Sequence, residues 1–489
     1  MPAYDSYIYD LGAPGRSGVD MPDPDVPLTP LPAAYLRQDG LPLPEVSELD
    51  VVRHYVHLSQ KNYAIDKGFY PLGSCTMKYN PKVNERAARL PGLADIHPLQ
   101  DSSTVQGAMQ LMYELQVMLA EIGGFAAVTL QPAAGAHGEL TGVLIMRAAQ
   151  IARGQGHRTK ILVPDSAHGT NPATTAMSGL EVVEIPSDAA GNVDLAALRG
   201  HLGDDLAGFM ITNPSTLGLF EQNIVEICEL VHEAGGLVYG DGANLNAIMG
   251  IVRPGDLGID VMHINLHKTF STPHGGGGPG SGPVAVKAEL APFLPGPIVA
   301  LDPASGAYIW QQPAQSIGRV KSFHGNFGMM VRAYTYIRMH GAEGLRRVSE
   351  DAVLNANYMQ ARLQQQGDYP VPHGDRFCMH EVVAQGKIVG AEGVHTLDVA
   401  KRLIDYGYHP PTIYFPLIVP EAFMIEPTET ESKATLDDFL AALAAIAAEA
   451  RSDPELLHTA PHHAPVRRLD EVRAARTPVL ARVPAADGQ

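Results

Sequence analysis

Apolar residues recur at intervals of three and four between positions 105 and 122 (Met109, Met112, Leu115, Met118, Leu119, Ile122), which predicts an amphipathic helix closed by Gly123-Gly124. A short apolar run at 126–130 predicts a strand, and a second helix is expected over 139–153. Strands at 160–163, 181–185, 208–212 and 236–241 follow, interleaved with helices at 195–202 and 224–234. A further apolar run (Val261, Met262, Ile264, Leu266) predicts a strand that carries Lys268 to its end. This alternation predicts an α/β fold on a large, mostly parallel sheet with helices on both faces. Such sheets bind ligands outside the carboxyl ends of their strands.

Past residue 318 the pattern changes. The polar segment 318–328 (GRVKSFHGNFG) suits a loop that closes over a site, and long helices are expected at 327–339 and 343–365. A strand at 377–383, a helix at 396–406, an apolar stretch at 413–425 and an alanine-rich helix at 436–450 predict a smaller C-terminal α/β domain. At the other end, DMPDPDVPLTPLP marks a proline- and aspartate-rich stretch with little periodicity. The expected division is an extended N-terminal arm (1–60), a large domain (61–330), a small domain with its connecting helices (331–465) and a tail (466–489) lying as an extended strap.

Several polar residues fall just past predicted strand ends: His168, Asn213, Asp241 and Lys268. They are expected to converge on one side of the sheet. A lone lysine in such a position is most simply a solvated charge, and His-Gly and Asn-Pro are ordinary turn openers. What changes the picture is Asp241 at the end of one strand and Lys268 at the end of another. An amine that forms a Schiff base, with a carboxylate that keeps a pyridine nitrogen protonated, suits pyridoxal phosphate (PLP). His168 is then placed to stack on the cofactor ring and Asn213 to donate to its phenolate oxygen. The small-residue turn Ala134-Gly135-Ala136, opening a helix, offers backbone N–H groups to a phosphate, although alone it serves equally as an ordinary tight turn. The glycines and prolines after Lys268 (PHGGGGPGSGP) allow close approach of backbone to ligand. The cramped loop 68–81, with Ser74, Cys75, Thr76 and Lys78, is more polar than a linker requires; Cys75 is by default a small buried hydrophobe.

Composition narrows the field. Thirty-five basic against 53 acidic residues leave a net charge of −18, which argues against non-specific binding to nucleic acid or an anionic membrane surface. Three cysteines make no disulfide framework, and MPAYDSYIYD has neither the basic nor the apolar region of a secretory signal, so a cytoplasmic location is expected. No metal-ligand pattern is visible: His263 and His267 share a predicted strand face and His462-His463 are adjacent, but neither pair has carboxylate or cysteine company.

The stretches PLGSCTMKYNP (71–81), SAHGTNPATTAMSG (166–179), TNPSTLGLFE (212–221), YGDGANLNAIMG (239–250), NLHKTFSTPHGGGGPGSGP (265–283) and FMIEPTETESK (423–433) together resemble the P-protein of the glycine cleavage system, in its two-chain bacterial form the lysine-bearing subunit 2. The resemblance implies the PLP-dependent transferase fold type I, like aspartate aminotransferase. It implies a Schiff base on Lys268, stacking by His168, a pyridinium partner in Asp241, phosphate contacts from Ala134, Gly135 and Ala136, and further cofactor contacts from Asn213, Ala243 and His267. Ser74, Cys75 and Thr76 are the candidates for the wall facing substrate. Family members often carry a hydroxyl where Ala134-Gly135-Ala136 stands, so only backbone donors are assured there. The implied reaction is decarboxylation of glycine with transfer of the aminomethyl group to lipoylated H-protein, by a chain partnered with a subunit 1, two of each. The rival expectations are another fold-type-I enzyme, an aminotransferase or cysteine desulfurase, and a non-catalytic scaffold half.

Overall fold

Seven strands form the central sheet: β1 (Ala127–Thr129), β2 (Lys160–Pro164), β3 (Glu181–Ile185), β4 (Leu206–Thr212), β5 (Leu237–Gly242), β6 (Val261–Ile264) and β7 (Val284–Val286). Their order across the sheet is β1-β7-β6-β5-β4-β2-β3. Only β7 is reversed, pairing antiparallel with both β1 and β6, so the other six strands run the same way. The computed structural model describes residues 7–41, 43–275 and 280–480, so part of the glycine-rich run after Lys268 lies outside it.

The central strands read as continuous apolar runs because both faces are buried. Phe209, Ile211, Val238, Met262 and Ile264 pack into one core. Met210, Tyr239 and Val261, which alternate with them, pack into another on the opposite face. Helices cover both sides, and some of their ends are fixed by caps. Asp194 accepts from the N–H groups of Ala196 and Ala197 at the head of the helix Leu195–Gly200, and Gly124, at φ 76°, ends the helix Gln106–Gly123.

A smaller antiparallel sheet, Val382–Gln385, Ala422–Ile425 and Thr412–Ile413, is covered by the helices Thr396–Asp405 and Lys433–Ser452 around a core of its own. The chain separates into two compact units, Met1–Lys67 and Gly68–Gln489. The first, expected as an extended arm, contains a 14-residue helix, Glu48–Lys61, with Ser47 as its cap. The second holds these two sheets and a third of two strands, Ile298–Leu301 with Tyr308–Gln311.

Several expectations change at this level. The helix expected from 139 begins at Gly135, so Ala134 is its N-cap residue. The strand carrying Lys268 stops at Ile264; Leu266–Thr269 is a single helical turn, anchored by the Leu266 N–H on the Ser281 carbonyl, 3.1 Å. His263 and His267 therefore do not share a strand face. A helix not expected from sequence, Thr170–Met177, accommodates Pro172 in its first turn, where a missing N–H costs nothing. The strand expected over 377–383 is confined to Val382–Gln385 because the residues before it bond elsewhere, the Met379 N–H to the Gly218 carbonyl at 2.7 Å. Over 413–425 the expected apolar stretch is two short strands. The two long helices merge into Phe327–Gln366, interrupted at Gly341, whose φ of 61° and ψ of −178° are not helical. The tail carries a short helix, Glu471–Arg476, rather than a wholly extended strap.

Candidate active site

The carboxyl ends of the parallel strands bring the predicted residues to one end of the sheet. The turn Ala134–Ala136 follows β1, His168 follows β2, Asn213 follows β4, Asp241 ends β5, and Lys268 lies in the turn after β6.

Asp241 is buried and held by its neighbours. Its Oδ1 accepts the Ala243 N–H at 2.9 Å and lies 3.3 Å from His263 Nε2; its Oδ2 accepts the Asn171 side-chain amide at 3.2 Å. Sheet register places His263 directly beside it, and the Tyr239 hydroxyl lies 2.6 Å from His263 Nδ1. Burial keeps the His263 imidazole neutral, so the ring donates from Nε2 to Asp241 and accepts from Tyr239 at Nδ1. Burial alone would raise the Asp241 carboxyl, but His263, the Ala243 amide, Lys268 and Asn171 together hold it below the usual carboxylate range. Glu139, bridged to it through the Asn171 amide, goes the other way: burial and the Asp241 charge push it up to about 8. Two carboxyls are thus driven apart, one ionised and one protonated at neutral pH.

Among the described residues the turn at the head of the helix Gly135–Ala152 has no side-chain cap, which leaves its first N–H groups suited to an anion. Backbone closes tightly around it: a Cβ on Gly282 would lie 2.1 Å from the Ala134 carbonyl oxygen, and one on Gly135 2.7 Å from Asn265 Oδ1. Buried polar atoms without partners among the described residues include Asn213 Nδ2, Asn265 Oδ1, Thr272 Oγ1 and His274 Nε2. His267 accepts the Ser281 N–H through Nδ1 at 3.3 Å and meets His274 edge-on; burial, His274 and Lys268 hold its ring neutral, down to about 3. His168 is exposed, with Nδ1 accepting the Thr170 N–H at 3.2 Å and its ring at 70° to that of Phe415, centroids 5.8 Å apart. Helix-start amides, unpaired buried donors and acceptors, an ionised aspartate and a lysine make a set of groups that a phosphorylated pyridine aldehyde fits. The expected lid segment packs beside this turn, the Asn326 amide donating to the Ala133 carbonyl at 3.3 Å.

The loop with Ser74, Cys75 and Thr76 comes to the same place. The Lys78 ammonium donates to the Thr269 carbonyl, next to Lys268, at 3.1 Å and pairs with Glu429 at 2.7 Å. Burial pushes the Cys75 thiol up, against the opposing pull of Lys268. Ser74 and Thr76 both sit at positive φ, 61° and 49°, and their N–H groups each donate to a buried glutamate, Glu381 and Glu426, at 2.8 Å. Sequence reading missed both glutamates, along with Glu139, Asn171 and His263. For His263 a signal existed, since neighbouring parallel strands set it opposite Asp241; the glutamates come from the distant small sheet and gave none.

The sequence matches two families, "Glycine cleavage system P-protein" over residues 31–402 and "Glycine dehydrogenase, C-terminal domain" over 348–462. A probable glycine dehydrogenase (decarboxylating) subunit 2 from Caldanaerobacter subterraneus is 61% identical over 483 residues, 98% of each chain. One from Desulforamulus reducens is 60% identical over 482 residues, 98% of this chain and 99% of that one. Among solved structures, a glycine decarboxylase (P-protein) in inhibitor-bound form superposes with a TM-score of 0.72 at 22% identity, covering 85% of this chain and 93% of that one. A cysteine desulfurase from Thermococcus onnurineus superposes at 0.61 and 16% identity, over 78% and 95% of the two chains. These likenesses show the fold to be PLP-dependent transferase type I. With family matches that overlap to span most of its length and relatives alike from end to end, the chain belongs to the glycine cleavage system P-protein family, among its decarboxylating glycine dehydrogenase subunit 2 members.

Proposed function

We propose that this chain is the lysine-bearing subunit of a glycine-decarboxylating enzyme that holds pyridoxal 5'-phosphate on Lys268 and passes the aminomethyl group of glycine to the lipoyl arm of H-protein. One observation carries the reading: Asp241, which its neighbours hold ionised, stands one strand from Lys268 at the end of the sheet where an uncapped helix begins. When bound, the cofactor supplies a sink for the electron pair left as the substrate carboxylate departs as CO2. Asp241 holds the proton on the ring nitrogen, and the His263–Tyr239 relay with the Asn171 amide fixes the carboxylate in place. His168 offers a ring face that its single hydrogen bond leaves free, and the unpaired Asn213 amide donates to the ring oxygen. Amides of the Ala134-Gly135-Ala136 turn take the phosphate, and Ala243 and His267 wall the ring. Ser74, Cys75 and Thr76 form the side facing glycine and the lipoyl arm, where water is kept from the reacting carbon.

The subunit 2 in the relatives' names supports a subunit 1 partner, and we take the assembly as two of each chain. Among the described residues no helix is long and apolar enough to cross a membrane, and with a charge of −18 we place the enzyme in the cytoplasm, without nucleic-acid partners. The test is exchange of labelled bicarbonate into the carboxyl group of glycine, using this chain, subunit 1, pyridoxal phosphate and lipoylated H-protein. Exchange that needs H-protein and is lost in Lys268→Ala is expected. A wild-type enzyme that carries cofactor but gives no exchange, and instead transaminates glycine, sinks the proposal.

A further inference from the structure

The antiparallel strands Val382–Gln385 and Ala422–Ile425 pair Val382 with Ile425. One step further out on the same ladder, Glu381 stands opposite Glu426. Like charges set directly opposite destabilise a sheet, and here the pair has no water to screen it. His380 lies beside the two. All three residues have no exposed surface, and a nitrogen or oxygen of each lies within 4.8 Å of the others.

Hydrogen bonding leaves the cluster short of partners. Glu381 Oε2 accepts the Ser74 N–H and Glu426 Oε2 the Thr76 N–H, both at 2.8 Å, and Glu426 Oε1 takes a long contact from the Asn246 amide at 3.4 Å. Glu381 Oε1 and both ring nitrogens of His380 have no partner among the described residues. Neither glutamate is ion-paired with a lysine or arginine among them, and the Lys78 ammonium nearby is taken by Glu429. Buried polar atoms are seldom left in this state, and each such group calls for an explanation. A proton on one carboxyl relieves the repulsion but leaves the imidazole as it was, because His380 Nε2 lies 3.8 Å from Glu381 Oε2, beyond hydrogen-bond reach.

A divalent cation answers the charge and the missing partners together. Two carboxylates and a neutral imidazole carry a charge of −2, and a donor set that includes an imidazole suits Zn2+ or Mn2+ better than Ca2+ or Mg2+, which take oxygen ligands. Metal–ligand bonds of about 2.0–2.2 Å hold the ligands of one ion no more than about 4.4 Å apart, so side-chain rotation has at most about 0.4 Å to close. The backbone behind the ligands is already fixed. The Met379 N–H donates to the Gly218 carbonyl at 2.7 Å, and a Cβ on Gly218 would lie 2.2 Å from the Glu381 carbonyl oxygen.

We propose that His380, Glu381 and Glu426 form a structural site for one divalent first-row transition ion, Zn2+ or Mn2+, which ties the Ser74–Thr76 loop to the small sheet. The ion neutralises the facing carboxylates while their Oε2 atoms go on accepting the Ser74 and Thr76 N–H groups. The two residues at positive φ on either side of Cys75 are thus anchored through the ion. The site is separate from the chemistry at Lys268 and does not depend on the function proposed above.

The experiment uses the complex of this chain with subunit 1, purified from cells supplied with Zn2+ and Mn2+. Elemental analysis is expected to find one such ion per copy of this chain, and His380→Ala to lose it. X-ray absorption at the metal edge is expected to show one imidazole nitrogen with oxygens at about 2.0–2.2 Å and no sulfur. Stripping the wild-type complex with a chelator is expected to lower its melting temperature, and returning the ion to restore it. A complex that lacks a stoichiometric ion both as purified and after equilibration with excess Zn2+ or Mn2+ overturns the proposal. So does an ion that His380→Ala retains, a shell containing sulfur or a second imidazole, or a melting temperature that stripping leaves unchanged. The ion count, the shell and the melt are all read on wild type, so they decide the matter even where the variant fails to fold.

Discussion

At the scale of single residues the site is a set of charges sorted by their surroundings. Asp241→Asn keeps the size of the side chain and an acceptor for the Ala243 amide but removes the charge opposite the ring nitrogen. The variant is expected to bind cofactor and lose decarboxylation by a factor on the order of 10² to 10³, the range for loss of one preorganised electrostatic contact; absorbance and labelled CO2 release measure the two. Glu139 makes a prediction about pH. Its folded-state value of about 8 lies above the 4.5 of an ordinary glutamate, so between those values the folded protein holds a proton that the unfolded chain has lost. Stability from this group is complete below about 4.5 and is lost as pH rises toward 8. Melting temperature is expected to fall less from pH 5 to pH 8 in Glu139→Gln than in wild type, by calorimetry on both. An equal fall in the two places the titration elsewhere.

Elements aim these residues, and here sequence and structure part in instructive ways. The alternation of apolar runs and amphipathic segments was legible because strands buried on both faces and helices buried on one leave different periodicities. Lys268 and Asp241 stood out because each follows such a run. Illegible were contacts that depend on which strands become neighbours: His263 against Asp241, Asn171 bridging Glu139 and Asp241, and the glutamates under the Ser74–Thr76 loop. Helix starts were misread where small residues lack capping signals, as at Gly135. Glycine at such joints is held by contact. Gly282→Ala puts a Cβ 2.1 Å from the Ala134 carbonyl oxygen, a backbone atom that cannot swing aside, and is expected to destabilise the chain by about 1 to 3 kcal/mol and to weaken cofactor binding. Thermal melts with and without pyridoxal phosphate read both; full affinity in the variant clears that turn of a role in holding the phosphate.

On the scale of the larger unit, Gly68–Gln489, the seven-stranded and three-stranded sheets pack on separate cores, and polar contacts join them at the site. Lys78, from the loop, meets Glu429 and Tyr336 while donating to the Thr269 carbonyl. Burial opposes its charge, yet Glu429 and Tyr336 raise its pKa. Replacing only the lysine leaves Glu429 as an uncompensated, largely buried acid. Lys78→Met is expected to cost about 3 to 5 kcal/mol in urea unfolding, whereas removing both charges in Lys78→Met with Glu429→Leu costs less. Equal losses in the single and double variants refute the pairing argument.

The hydrogen bond from Thr76 to Glu426 spans 350 positions. During synthesis, at about 5 to 20 residues per second, the loop is made roughly 18 to 70 s before the carboxylate that holds it. Until then Ser74 and Thr76 have no reason to adopt their strained shape. The pocket beside Lys268 is thus among the last parts of the unit to close, and a nascent chain cannot present a finished site to cofactor before its C-terminal sheet has emerged.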